Sequence, residues 1–80
     1  MRSTKLIHVN DIRMDRHPLN ESTLSLIKHM ERGGSVPPIK VARLKGGGYL
    51  IRDGRHRVTA SKLLGRKSIE AKFSETPLSA

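Results

Sequence analysis

Between Gly46 and Ala60 the chain changes habit repeatedly over a short distance, and this limits what the whole can fold into. Gly46-Gly47-Gly48 reads as a hairpin turn and Tyr49 to Arg52 as a strand. Asp53-Gly54 reads as a sharp corner, with a helix from about Arg55 to Leu64. The charge at the corner is unusual. A helix N-terminus carries roughly +0.5 elementary charge and exposes unpaired N–H groups, so it favours acidic residues. Here Asp53 stands where it could cap, yet Arg55, His56 and Arg57 crowd the first turn. Free backbone donors beside clustered cations make a ready anion site, and the expected occupant is a phosphate group.

Around this stretch the chain divides into short elements. Lys5 to Val9 is rich in β-branched residues and reads as a strand. Asn10-Asp11-Ile12 begins a turn or a single helical turn, and Pro18 breaks any helix before Leu19, leaving a loop that delivers Arg16 and His17. Asn20 to Thr23 offers several N-caps for a helix from Glu21 to about Arg32. Leu24, Leu26, Ile27 and Met30 recur at helical spacing as its expected buried face, with Ser22, Ser25 and His29 as a polar stripe. Gly33-Gly34 ends it, Val36-Pro37-Pro38 is extended, and Ile39 to Leu44 is a strand. On the second helix, His56, Ala60, Leu63 and Leu64 share the expected buried face, and Arg55, Thr59 and Lys62 the exposed one. Gly65 ends that helix, and Ser68 to Phe73 alternates as a strand with one buried face. The tail Ser74 to Ala80 reads as disordered. The expected order is β-(turn)-α-β-β-α-β: one domain over 1–80 with a core over about 5–73, of mixed α/β (α+β) class, a small single-layer mixed sheet with helices packed on it.

Eighty residues build only a thin core. With Tyr49 and Phe73 as the only aromatics, that core must come from Ile, Leu, Val, Ala and Met. Without cysteine there is no disulfide, thiolate metal site or cysteine nucleophile, which fits a cytoplasmic protein. No apolar run approaches the roughly 20 residues that span a bilayer, and no export signal is visible, so a membrane partner is not expected. Sixteen Lys and Arg against seven acidic residues give a net charge of +9, which favours polyanionic partners.

The candidate residues follow from this chemistry. Gly54, Arg55, His56 and Arg57 are the phosphate-binding set, with Arg57 first because a guanidinium grips phosphate oxygens in a bidentate way. Asp53 reads as a cap or a partner for a nearby arginine. Histidine as a residue type suits proton transfer near neutral pH, so His56 and Asp53 are the candidates for acid–base or metal-assisted work. Arg16, Ser22, Ser25 and His29 would border the same pocket. Arg55, Lys62, Arg66 and Lys67 make a candidate DNA-facing patch. The four histidines are scattered without metal-ligand spacing, so a protein-only metal site is not expected.

Val36-Pro37-Pro38-Ile39-Lys40-Val41, then Gly48-Tyr49-Leu50-Ile51, then Asp53-Gly54-Arg55-His56-Arg57-Val58-Thr59-Ala60 resemble the ParB/sulfiredoxin superfamily. The likeness runs on through Leu63-Leu64-Gly65 to Ile69-Glu70-Ala71. It implies the ParB/sulfiredoxin-like fold. It also implies a site at Gly54 to Arg57 for the phosphates of CTP or ATP, with Mg²⁺ assisting. His56 and Arg57 match the His-Arg of the sulfiredoxin box, and Ser22, Ser25 and His29 fall near positions that help hold the nucleotide there. Arg55 stands in the place of the sulfiredoxin reactive cysteine, so sulfinic-acid reductase chemistry is not expected. The resemblance leaves three expectations open: a nucleotide module, with or without slow hydrolysis, acting in DNA partition or regulation; a DNA-binding protein or ParB-like nuclease; or a small adaptor docking on a protein partner or a second copy of itself.

Overall fold

The computed structural model describes residues 4–74. Five strands form one sheet: β1 (Thr4–His8), β2 (Ile12–Arg13), β3 (Ile39–Arg43), β4 (Tyr49–Asp53) and β5 (Ser68–Phe73). Two helices, α1 (Glu21–Glu31) and α2 (Arg55–Leu63), pack against each other. The sheet order is β1-β5-β3-β4-β2, with β1–β5 and β3–β4 antiparallel and β5–β3 and β4–β2 parallel. This is the mixed α/β architecture expected from the sequence.

Pattern and punctuation account for most of it. Ile39 and Val41 on β3 and Ile69 and Ala71 on β5 alternate with exposed residues, and together with Ile51 of β4 they meet Val58 of α2 in the core. Tyr49, Phe73 and Met14 pack at its edge. The glycine turn closes the β3–β4 hairpin through Leu44, whose N–H donates to the Gly48 carbonyl at 3.1 Å.

Four expectations need correction. Val9 leaves β1 to start a 3₁₀ turn (Val9–Asp11), its N–H donating to the Lys67 carbonyl. The next two residues form β2 on the sheet edge; a strand that short carries no alternation from which to recognise it. The helix faces differ as well. Leu24 and Leu63 are exposed, whereas Thr23, Thr59 and Ser61 are buried. Small side chains let α1 and α2 approach closely, and the hydroxyls find carbonyls: Thr59 Oγ1 donates to the Arg55 carbonyl at 2.9 Å, and Thr23 Oγ1 to that of Pro18 at 2.9 Å. Finally, Ser74 continues from β5, its N–H donating to the Val41 carbonyl at 2.8 Å; the remainder of the expected disordered tail lies outside the described residues.

Candidate functional site

The corner between β4 and α2 is built on Gly54. Its φ of +113° is a left-handed conformation that side chains resist. A Cβ there would also lie 2.6 Å from Ile39 Cγ2, and Ile39 is completely buried. Glycine is therefore required for a close approach to the core as well as for the turn. As N-cap, Gly54 has no side chain to offer, and no side chain caps α2. The first intrahelical bond starts at Val58, whose N–H donates to the Gly54 carbonyl at 3.0 Å. The N–H groups of the first turn thus have no partner within the helix.

The cleft in front of this corner has a volume of about 440 Å³ and is lined by Arg16, Pro18, Asn20, Asp53, Gly54, Arg55 and His56. One wall is the β4–α2 corner; the other is the loop leading into α1. Asn20 joins the two. It caps α1, its Oδ1 accepting from the Thr23 N–H at 3.2 Å. With that oxygen engaged, the Asn20 amide nitrogen faces His56 Nε2 at 3.3 Å and donates to it. In this contact His56 Nε2 is the acceptor, since an amide nitrogen can only donate.

Arg55 is held at the rim by Asp15, Nε to Oδ1 at 3.2 Å. That hydrogen bond, and the guanidinium charge behind it, hold the Asp15 carboxyl below the usual carboxylate range. Arg57 faces elsewhere. One of its terminal nitrogens donates to the carbonyls of Pro37 and Pro38, at 2.9 and 2.8 Å, and the other to Asp53 at 3.3 Å. Its side chain is only 18% exposed and does not line the cleft. Asp53 is thus a partner of an arginine, as one of its two expected roles had it, and it does not cap α2.

The remaining sequence candidates are dispersed. Arg16 reaches the cleft. Ser25 lines a separate shallow groove with Glu21, Leu24 and Lys28, and Ser22 is exposed outside both. His29 closes the α1–β3 loop: its Nε2 donates to the Ser35 carbonyl at 2.8 Å, and its ring packs where a side chain on Gly34 would sit. The proposed basic patch is also divided. Arg66 donates to the Met30 carbonyl at the end of α1, Lys62 faces His17 at 3.4 Å, and Lys67 is exposed. Asn20, Pro18 and Asp15 were missed as site residues, although Asn20 was legible as a cap. Among the described residues no group of three or more His, Asp or Glu is placed to hold a metal ion.

Comparison with known proteins decides the lineage. A model of the ParB N-terminal domain matches residues 2–79. The chain belongs to the ParB N-terminal domain family. No curated protein sequence matches it. Sulfiredoxin from Arabidopsis thaliana shares the fold with a TM-score of 0.78 at 23% identity, over 92% of this chain and 86% of that one. A free serine kinase in complex with AMP superposes with a TM-score of 0.83 at 21% identity, over 92% of this chain and 32% of that one. A C-terminally truncated chromosome-partitioning ParB from Caulobacter crescentus, complexed with CTP-gamma-S, gives 0.75 at 20% identity over 94% of this chain and 46% of that one. This ParB N-terminal domain therefore spans under half the length of those two nucleotide complexes, and at such identities they establish its fold alone.

Proposed function

We propose that this ParB N-terminal domain binds a nucleotide by its phosphates in the cleft before α2. One observation carries the reading: the uncapped start of α2 opens beside Arg16, Arg55 and His56 in a single cleft. Unpaired N–H groups and two guanidinium groups suit the oxygens of a polyphosphate. The His56 nitrogen that accepts from Asn20 would, once protonated, donate to a phosphate oxygen instead. The complexes of two fold relatives with CTP-gamma-S and AMP support the ligand class. CTP and ATP are the ligands to try first.

Arg57 takes a different part in this reading. Direct phosphate contact would cost it the Pro37 and Pro38 carbonyls, so its role here is to fix the segment before β3 against the corner. Among the described residues Asp53 is the only carboxylate on the cleft lining, and it already faces Arg57. Mg²⁺ would then enter held mainly by the phosphates, as is usual for that ion. Calorimetric titration with CTP, ATP, GTP and AMP, with and without Mg²⁺, tests the reading. Saturable binding that Arg16→Ala or Arg55→Ala weakens is expected. Absence of binding by all four overturns it.

A further inference from the structure

A nucleotide offers a protein two things to read, its base and its phosphates, and the cleft before α2 is furnished for only one of them. Telling bases apart takes hydrogen bonds to their edges, because stacking is tolerant: every base has a π-face. On the cleft lining the groups suited to such bonds are already engaged. Asn20 accepts from the Thr23 N–H through Oδ1 at 3.2 Å and donates from its amide nitrogen to His56 at 3.3 Å. The Asn20 carbonyl accepts from the Leu24 N–H at 3.0 Å. Pro18 has no N–H, and its carbonyl accepts from Thr23 Oγ1 at 2.9 Å. The Asp53 carboxylate faces Arg57 at 3.3 Å. No aromatic platform stands nearby to give the base affinity. Tyr49 and Phe73 are the chain's only such rings apart from histidine; they pack together at a centroid distance of 5.6 Å, and neither lines the cleft.

The groups left to meet a ligand suit phosphate. Arg16 forms no ion pair among the described residues. Arg55 holds only the exposed Asp15, a kind of pairing worth little in water and readily exchanged for a phosphate. The first-turn N–H groups of α2 have no side-chain cap. We infer that, given nucleotide binding as proposed above, this cleft selects its ligand by the number of phosphates and accepts any base. Its ligand class is the nucleoside 5′-triphosphates as a group. Each phosphate added brings oxygens to a guanidinium or a helix N–H, whereas exchanging one base for another changes no contact that the lining can make.

Calorimetry on the full chain in one Mg²⁺ buffer tests this with two series. In the base series, CTP, ATP, GTP and UTP should bind with Kd values within about threefold of one another. In the phosphate series, ATP, ADP and AMP should weaken by about tenfold for each phosphate removed, the loss of one charge-assisted contact at a time, and inorganic tripolyphosphate should displace ATP. Arg16→Gln, with a circular-dichroism melt matching the parent, should lower affinity for all four triphosphates by the same factor. A preference of about tenfold or more for one base overturns the inference and leaves the nucleotide reading standing; a guanidinium turned onto O6 and N7 of guanine would show itself this way, as a preference for GTP. AMP binding as tightly as ATP, tripolyphosphate failing to displace ATP, or an Arg16→Gln effect that is absent or differs between bases overturns it too. Absence of binding by every nucleotide is the separate outcome that removes the nucleotide reading itself, and this inference with it.

Discussion

Gly54 and Arg57 are the two residues on which the corner depends. Gly54→Ala meets both a left-handed φ and the buried Ile39, so it should destabilise the domain by about 2–3 kcal/mol or more, read from the midpoint of urea unfolding. Arg57→Ala removes charge-assisted bonds to two carbonyls from a largely buried side chain and should cost about 1.5–3 kcal/mol. Arg57→Lys should recover only part of that, since an ammonium lacks the planar fork. Asp15 offers a readout of a different kind. Arg55 holds its carboxyl below the ordinary value of 3.8, so their attraction is present above that pH and is lost as pH falls through the depressed value. In Arg55→Ala the Asp15 carboxyl should titrate closer to 3.8 when followed by NMR. In Asp15→Asn, Arg55 is released, and nucleotide affinity should rise.

The two helix starts work as a unit. α1 is capped by Asn20, α2 by nothing, and the Asn20 amide spans the cleft to His56. Asn20→Ala should therefore cost about 1 kcal/mol of stability through the lost cap and, separately, free the His56 ring. Asn20→Asp tests the separation. A carboxylate keeps the cap but has no amide to donate to His56, so stability should stay near that of the parent. Burial on the helices follows proximity as well as hydrophobicity, with Thr23, Thr59 and Ser61 buried beside Met30, Val58 and Ala60. Those three polar residues are inside, on two helices that pack against each other, while Leu24 and Leu63 remain outside.

For the whole molecule, ligand linkage should be large relative to stability. Eighty residues with a core of mostly aliphatic side chains leave a small margin. A nucleotide at about 100 times its Kd adds roughly 2.7 kcal/mol. In a domain of this size each kcal/mol moves the melting midpoint by about 4–8 °C, so saturating nucleotide should raise Tm by roughly 10–20 °C in differential scanning calorimetry. The net charge of +9 acts at the same scale: adding salt should weaken binding of the nucleotide.

Local rules were enough for much of this protein. Glycine and proline punctuation, strand alternation and the Asn20 cap placed both helices and four of the five strands, because each depends on residues near in sequence. The Gly54-Arg55-His56-Arg57 corner was legible for the same reason, since its charge sits in one helical turn. Contacts between distant segments were not legible. Arg57 turning to Pro37 and Pro38, Asp15 meeting Arg55 and Asn20 meeting His56 all depend on how the sheet brings separate strands and loops together. The sequence alone determined that a cationic helix start would follow a tight corner. Only the tertiary structure decided which of those cations faces the cleft, because a side chain's direction is set by the carbonyls and carboxylates that packing places within its reach.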